Sequence, residues 1–543
     1  MRIADGVFWM AERNGGKLAI RVAHPGSISA SCALPPASAS TMPGDVTFRD
    51  LARQIVTVGR FFRGLGGRPG DIVALHLDNS PSFLVVFLGL AHAGFIAAPL
   101  NTRLTRMETD AIVNDMQPWR VVKEKDGELW VGRRVDVDSA DARLNLHAGL
   151  SDNAVQAADL DAGLSDNAVQ AADLDAGLSD ADIFYLGYSS GTTGQPKGLL
   201  RTHKSWTESF FGMTLEFGLA TDTVLLVPGP LCYSASLIAA LHALFIGGTV
   251  FIERTFAPHL TATLLSHPAS PVNAVFMVPA MYRAVTDTLA DDGLANEWPH
   301  DQQKPKSLTC VTCGDKMPQD LYERFTRDFP GSRVFEYYGS SEVGFVSVHN
   351  FDATLEGSVG QPFFPVQVRV LGGEIQVKSG LGFAAYFGAA EHQHDRVRRP
   401  QGWFAPGDHG RIHDGWLHVT GRSSDLIVRG GVNLYPAEIE SVVREFPGVI
   451  DTVAFGVPHD RLGEVPVCAV VWRDQGDEGS VDEAVRALSE HLRHNLTGYK
   501  QPDAILSLPN LPRNAAGKVS RAELRDVYFN ATSSRHRHPV HRV

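Results

Sequence analysis

Apolar positions along this chain switch repeatedly between helical spacing and short strand-like runs, which predicts alternating helices and strands. Thr47 offers an N-cap with Asp50 at the third helical position, and Leu51, Ile55, Val58 and Phe62 then recur at helical spacing. Gly64-Leu65-Gly66-Gly67 and Pro69-Gly70 end that helix, and Ile72–Leu77 reads as a strand. A helix over Ser80–Ala93 and a strand at Phe95–Ala98 follow. Two longer apolar stretches, Phe83–Leu100 and Ala235–Ile252, are interrupted by His92, Gly94 and Pro99 and by Gly247-Gly248. Each predicts a buried helix running into a strand, and no transmembrane segment. The alternation continues to about residue 420, the pattern of α/β layers. After residue 422 the texture changes. Leu426–Val428 reads as a strand, Gly430-Gly431 as a turn, and Pro436 opens a helix with Ile439, Val442, Val443 and Phe446 on one face. Strands at Thr452–Val457 and Val467–Trp472 and a helix near Val481–Leu492 complete a small α+β unit.

Two segments stand apart from this pattern. HAGLSDNAVQAADL at 147–160 recurs as DAGLSDNAVQAADL at 161–174, and a third copy begins at 175. Two full copies are too few to stack a core, so 147–178 is expected to be an acidic insertion outside it. The last residues, Arg535 to Val543, form a basic, His-rich tail whose default is a frayed end.

Composition narrows the classes. Lys and Arg number 49 against 61 Asp and Glu, a net charge of −12 that argues against a nucleic-acid partner. Hydrophobic residues at 44% with 20% charged are ordinary for a globular core. Five cysteines in 543 residues cannot form a disulfide scaffold. The Cys310-x-x-Cys313 pair lacks a second pair to make a zinc site, and the chain opens with no apolar signal segment. A cytoplasmic enzyme, monomer or homodimer, is the expectation.

The richest chemistry lies at Tyr188-Ser189-Ser190-Gly191-Thr192-Thr193-Gly194-Gln195-Pro196-Lys197-Gly198, after the apolar run Ile183–Leu186. Glycines let backbone N–H groups approach phosphate oxygens, hydroxyls donate hydrogen bonds, and Lys197 offsets charge. The spacing is not that of a Walker A loop, and Pro196 and Gly198 discourage the helix such a loop requires. Gly187-x-Ser189-x-Gly191 also satisfies the hydrolase nucleophile elbow, which needs a helix immediately after its serine; the glycines and proline there predict a loop. Glu391-His392-Gln393-His394-Asp395 reads as a solvated loop, because adjacent ligands rarely close a metal shell.

With that loop the chain resembles the adenylate-forming superfamily of acyl- and aryl-CoA synthetases, luciferases and nonribosomal adenylation domains. The resemblance is carried further by Tyr338-Gly339-Ser340-Ser341-Glu342, Gly402-Trp403-Phe404-Ala405-Pro406-Gly407-Asp408, Gly421-Arg422-Ser423-Ser424-Asp425 and Asn514-Ala515-Ala516-Gly517-Lys518, all in family order. It implies a large N-terminal α/β adenylation domain over 1–422 with 147–178 inserted, a small mobile α+β domain over 423–530, and a tail at 531–543. It implies ATP and Mg²⁺ as cofactors, with Glu342 as the Mg²⁺ ligand. Lys518, Glu342 and Lys197 become the catalytic candidates. Ser189 to Gly194, Gly314, Asp315, Tyr337, Tyr338, Gly339, Ser341, Asp408 and Arg422 become ATP and AMP contacts, with Ser424 as the hinge.

The resemblance also points to a small-molecule carboxylic acid, bound at Tyr233, Ser234 and Gly314. Amino-acid-activating relatives carry an aspartate after the aromatic; Ser234 here leaves no carboxylate for an ammonium group, whose uncompensated burial would cost several kcal/mol. An aryl or other hydrophobic acid is therefore the expectation. The acceptor is expected to be coenzyme A, reached past Gly430-Gly431. Attack by an amine, as in an amide synthetase, or by a carrier-protein pantetheine shares the same motifs, and an inactive ATP-binding scaffold is disfavoured because Lys197, Glu342, Asp408 and Lys518 are present.

Overall fold

The computed structural model describes residues 1–24, 44–125, 127–132, 140–146, 177–189, 197–291, 307–351, 357–388, 397–422, 425–429, 432–473, 478–513, 519–533 and 540–542. The chain divides into a large unit, Met1–Val368 with Val377–Phe404, and a small one, Arg369–Gln376 with Ala405–Val543. The repeat at 147–176 and the His-rich loop at 391–395 lie outside the described residues.

The large unit carries two extended sheets. In the first, Gln361–Pro362, Gly344–Asn350, Arg333–Ser340, Thr309–Thr312, Ala274–Met277, Val224–Val227, Thr249–Ile252, Leu18–Val22 and Val46–Thr47 lie side by side in that order. The members from Arg333–Ser340 to Leu18–Val22 are parallel. Helices Ser234–Phe245, Pro258–Ser266 and Gln319–Asp328 make crossovers between them. The four central strands are buried at every position, as expected when helices cover both faces. The second sheet runs Ala385–Phe387, Lys197–Thr202, Ile183–Ser189, Ile96–Pro99, Ile72–His76, Arg120–Lys125, Glu128–Gly132 and Ala140–Leu144.

Local signals set these elements. The Thr47 hydroxyl accepts from Asp50 N–H at 3.2 Å, opening helix Phe48–Gly64. Ser80 caps Pro81–His92, which is buried from Phe83 to His92 and so reads as apolar on all sides. The two helices approach closely: a Cβ on Gly89 would stand 2.5 Å from the Val58 side chain, so glycine at this position permits the packing. Both broken apolar stretches fold as expected, into helix and strand.

In the small unit, strands Val449–His459 and Gly463–Trp472 form a long antiparallel hairpin. Alternation sends Val453, Phe455, Val457, Val467 and Ala469 to one core with Leu524, and Ala454, Cys468 and Val470 to another with Ile439, Val443, Leu488 and Leu492. The tail differs from expectation. Val540–Arg542 is not frayed but pairs antiparallel with Ala504–Ser507, Leu506 opposite Val540. An open sheet edge offers unpaired N–H and C=O groups to any strand that reaches it, whatever the tail's composition.

Candidate active site

The phosphate-loop candidate closes a β-hairpin. Strand Ile183–Ser189 pairs antiparallel with Lys197–Thr202, with Ser189 opposite Lys197 as the last pair. Residues Ser190, Gly191, Thr192, Thr193, Gly194 and Pro196 lie outside the described residues. The chain that resumes after them is strand from Lys197, so the helix that a Walker A loop needs after its lysine is not there, while the stretch after Ser189 that a nucleophile elbow would need as helix lies outside the described residues. The hairpin is tied down beside its tip: the Tyr188 hydroxyl donates to Asp115 Oδ2 at 2.7 Å.

Glu342 stands on the turn between strands Arg333–Ser340 and Gly344–Asn350. The Ser340 hydroxyl accepts from the N–H groups of Glu342 at 3.3 Å and Val343 at 3.4 Å. Gly344 sits at φ +75°, and a Cβ on Gly339 would lie 2.2 Å from the Gly344 carbonyl oxygen, so the turn requires both glycines. The Glu342 carboxylate accepts from the Tyr386 hydroxyl at 3.0 Å, and buried Arg201 donates to the Ser341 carbonyl at 2.7 Å. Sequence reasoning named neither Tyr386 nor Arg201. A charged residue inside the strand run Lys197–Thr202 was the one available signal, and only for Arg201.

Gly314, at φ +90°, and Asp315 follow strand Thr309–Thr312, whose last pair is Thr312 with Glu336. That register brings their turn alongside Tyr337 and Tyr338. The Tyr337 ring packs 4.4 Å from Phe345 and 6.0 Å from Phe276. Tyr233 caps helix Ser234–Phe245, where Ser234 is exposed, and its hydroxyl accepts from Asn101 Nδ2 at 3.0 Å. Burial pushes the Tyr233 phenol up to about 12. Asn79, also unread in the sequence, pins the preceding loop by accepting from Leu231 N–H at 2.7 Å and donating to the Gly229 carbonyl at 2.9 Å.

Glu336 is the hidden member of this region. It is 4% exposed, its Oε1 accepts from Met317 N–H at 2.7 Å, and its Oε2 has no partner among the described residues. Burial pushes its carboxyl up to about 7, opposed by the Met317 hydrogen bond. Below pH 4.5 the group is neutral whether folded or not. As pH rises to 7 the unfolded chain ionises first, and stability is lost. Glu336→Gln is therefore expected to stabilise the protein at pH 8 by about 1–3 kcal/mol and to change little at pH 5. Urea unfolding at the two pH values measures the difference.

These groups share one placement. The loop bearing Tyr233, the Gly314-Asp315 turn and the Glu342 turn follow the carboxyl ends of parallel strands of one sheet, where α/β folds bind ligands. The small unit holds its own pair. Asp408 is 1% exposed, and its backbone pairs with Arg422 across the hairpin of Asp408–His413 and Trp416–Arg422. Strands Ile427–Arg429 and Val432–Leu434 pair on either side of Gly430-Gly431. Ser424, Gly430, Gly431 and Lys518 lie outside the described residues.

Comparison with known proteins places the chain. Residues 32–380 match the family model of the AMP-binding enzyme, and residues 438–518 match that of the AMP-binding enzyme C-terminal domain. The chain belongs to the AMP-binding enzyme family. This member is 32% identical to a feruloyl-CoA synthase of Amycolatopsis sp over 502 residues, covering 88% of this chain and 93% of that protein. It is 29% identical to a 2-succinylbenzoate–CoA ligase of Bacillus cytotoxicus, covering 89% and 94%. Its fold is shared with the o-succinylbenzoate CoA synthetase of Bacillus subtilis in complex with the acyl-adenylate intermediate OSB-AMP, with TM-score 0.72, 23% identity and 96% and 98% coverage. The resemblance to adenylate-forming enzymes thus holds over nearly the whole length. No helix among the described residues is long and apolar enough to cross a membrane.

Proposed function

We propose that this AMP-binding enzyme activates a hydrophobic carboxylic acid, an aryl acid, with ATP and passes the acyl group to coenzyme A. The observation that carries this reading is the gathering of the Tyr233 loop, the Gly314 turn, the Tyr337-Tyr338 pair and Glu342 at the carboxyl ends of one sheet's parallel strands, in a chain whose relatives include aryl-CoA ligases.

In the first step an acid oxygen attacks the α-phosphorus, the bond to the β-phosphate oxygen breaks, and pyrophosphate leaves. In the second, the thiol sulfur attacks the acyl carbon and AMP leaves, the thiol proton passing to solvent or a base. Phosphoryl-type transfer is mainly positioning and charge neutralisation. The hairpin from Ser189 to Lys197 would hold the polyphosphate, Tyr338 the adenine, and Asp408 and Arg422 the ribose. Gly314 and Tyr337 would wall the acid, with Tyr233 at its gate. A carboxylate of which Tyr386 engages one oxygen, Oε1, suits a hard, oxygen-seeking cation, so Glu342 would hold Mg²⁺, which neutralises phosphate charge when bound. Lys518 would neutralise charge on the acid and α-phosphate oxygens. We place the mobile domain at 423–530, turning about Ser424 to bring Gly430-Gly431 to the acceptor path.

ATP–pyrophosphate exchange over a panel of cinnamic, benzoic, succinylbenzoic, aliphatic and amino acids tests the first step. Exchange with aryl acids and none with amino acids is expected. Thioester formation with coenzyme A, and no product with amines, is expected for the second. An amide product instead would overturn the acceptor assignment, and absence of exchange with every acid would overturn the enzymatic reading.

A further inference from the structure

Glu342 is the proposed cation ligand, yet it stands on a turn between two strands, and a carboxylate there needs something to fix its direction. The segment Leu381–Phe387 supplies the fixing groups. Phe383 N–H donates to the Glu342 carbonyl at 2.7 Å, and Ala384 N–H donates to the Leu200 carbonyl at 2.8 Å. Strand Ala385–Phe387 then pairs with Lys197–Thr202, placing Tyr386 opposite Leu199 and Phe387 opposite Gly198. One short segment therefore bonds both to the strand that leaves the phosphate loop and to the turn that carries Glu342.

Two side chains complete the bridge. Tyr386, 4% exposed, donates its hydroxyl to Glu342 Oε1 at 3.0 Å. That bond engages Oε1 and leaves Oε2 outside it. Burial, reinforced by Glu342, pushes the Tyr386 phenol well up, so it stays a neutral donor. Arg201, 7% exposed, donates to the Ser341 carbonyl at 2.7 Å and to the Leu381 carbonyl. It thereby clamps the residue before Glu342 to the start of the segment. Burial lowers the Arg201 guanidinium to about 10, opposed by Tyr185 and Glu342, so it keeps its charge at neutral pH.

We infer that Tyr386 and Arg201 are positioning residues that aim the Glu342 carboxylate at the divalent cation of bound ATP and couple its place to the strand beginning at Lys197. This rests on the adenylation reading above. Removing the Tyr386 hydroxyl leaves Glu342 free to rotate. The loss should be felt in cation affinity, and only when Glu342 is there to be aimed.

The test uses the full chain with Mn²⁺ as the spin probe. Mn²⁺ binding to the ATP-loaded protein is read by electron paramagnetic resonance, and metal-free ATP binding by equilibrium titration. Tyr386→Phe is expected to weaken Mn²⁺ roughly tenfold, the scale of a hydrogen bond to a charged group, and to leave metal-free ATP affinity within about twofold. Glu342→Gln weakens Mn²⁺ on its own, and adding Tyr386→Phe to it should change nothing further. Arg201→Met strands two carbonyls and can cost folding, so Tyr386→Phe decides. Additive losses in the double variant, unchanged Mn²⁺ binding in Tyr386→Phe, or equal weakening of metal-free ATP would each overturn the inference. A parent protein that binds neither ATP nor its Mn²⁺ complex would overturn the adenylation reading, and this inference with it.

Discussion

Lys518→Ala is expected to slow acyl-adenylate formation by about 10²–10³-fold while leaving thioester formation from a supplied acyl-adenylate within about threefold of the parent. On the proposed reading, the lysine's charge would be needed where negative charge gathers, on the acid and α-phosphate oxygens of the first step. In the second step the sulfur attacks an acyl carbon already bonded to AMP, and no new phosphate charge develops. Residue 518 lies in the small unit of the chain, and its family-model match ends at that residue. A small domain that turns about Ser424 would present Lys518 for the first step only. Single-turnover kinetics of each half-reaction, in variant and parent, separate the two. Equal losses in both halves would show the lysine acting on a shared step or on stability; no loss in either would remove it from the site.

Acid is expected to unfold the large unit between about pH 5 and 4, because three of its histidines are buried in their neutral form. His92 is 1% exposed, and neither ring nitrogen has a partner among the described residues. Burial, helped by Arg2, lowers it to about 4. His203, stacked 4.6 Å from Phe184, is lowered to about 3 by burial and then Arg2. His242, wholly buried, falls to about 3 through burial. In each the folded value lies below the unfolded one near 6.5. Above that pH the groups cost nothing further; as pH falls the unfolded chain takes up protons that the folded one refuses. At pH 5 each costs about 2 kcal/mol, and at pH 4 the three together cost about 9–10 kcal/mol. Glu336 and Glu253, whose carboxyls burial raises to about 7 and about 6, work in the other direction. They return about 4–5 kcal/mol between pH 8 and 4, leaving a net loss near 5 kcal/mol, comparable to the whole stability of many domains. His92→Phe, which keeps a ring of similar shape, should lower the acid midpoint and raise stability by about 2 kcal/mol more at pH 5 than at pH 8. Denaturant melts at both pH values read the shift. An equal change at the two would assign the effect to packing.

Much of the fold was legible because its signals are local. Thr47, Ser80 and Pro436 mark helix starts through hydroxyl caps and a fixed φ, and all three helices begin there. The Ser189–Lys197 loop was legible as glycine and hydroxyl chemistry that discourages a helix, and strand follows it. The small unit's hairpin and helices show in alternation and periodicity over short windows. The same short-range reading underlies the family resemblance, since each motif is a string of neighbours.

The supports of the site were not legible, for a physical reason. Arg201 bonds to a carbonyl 180 residues away, and Tyr386 to a carboxylate 44 residues before it. Such bonds depend on which strands lie side by side, and sheet order follows from burying whole layers, not from any local pattern. Glu336 offers no sign in the sequence that its carboxyl is buried with one oxygen unpartnered among the described residues, because burial there comes from neighbouring strands. Val540–Arg542 pairs because an edge lies within reach. The chain's order of residues, by itself, determined the elements, their caps and the chemistry carried on each loop. Tertiary structure alone decided which distant groups hold that chemistry in place, since hydrogen bonds between far-apart residues exist only once the layers have closed.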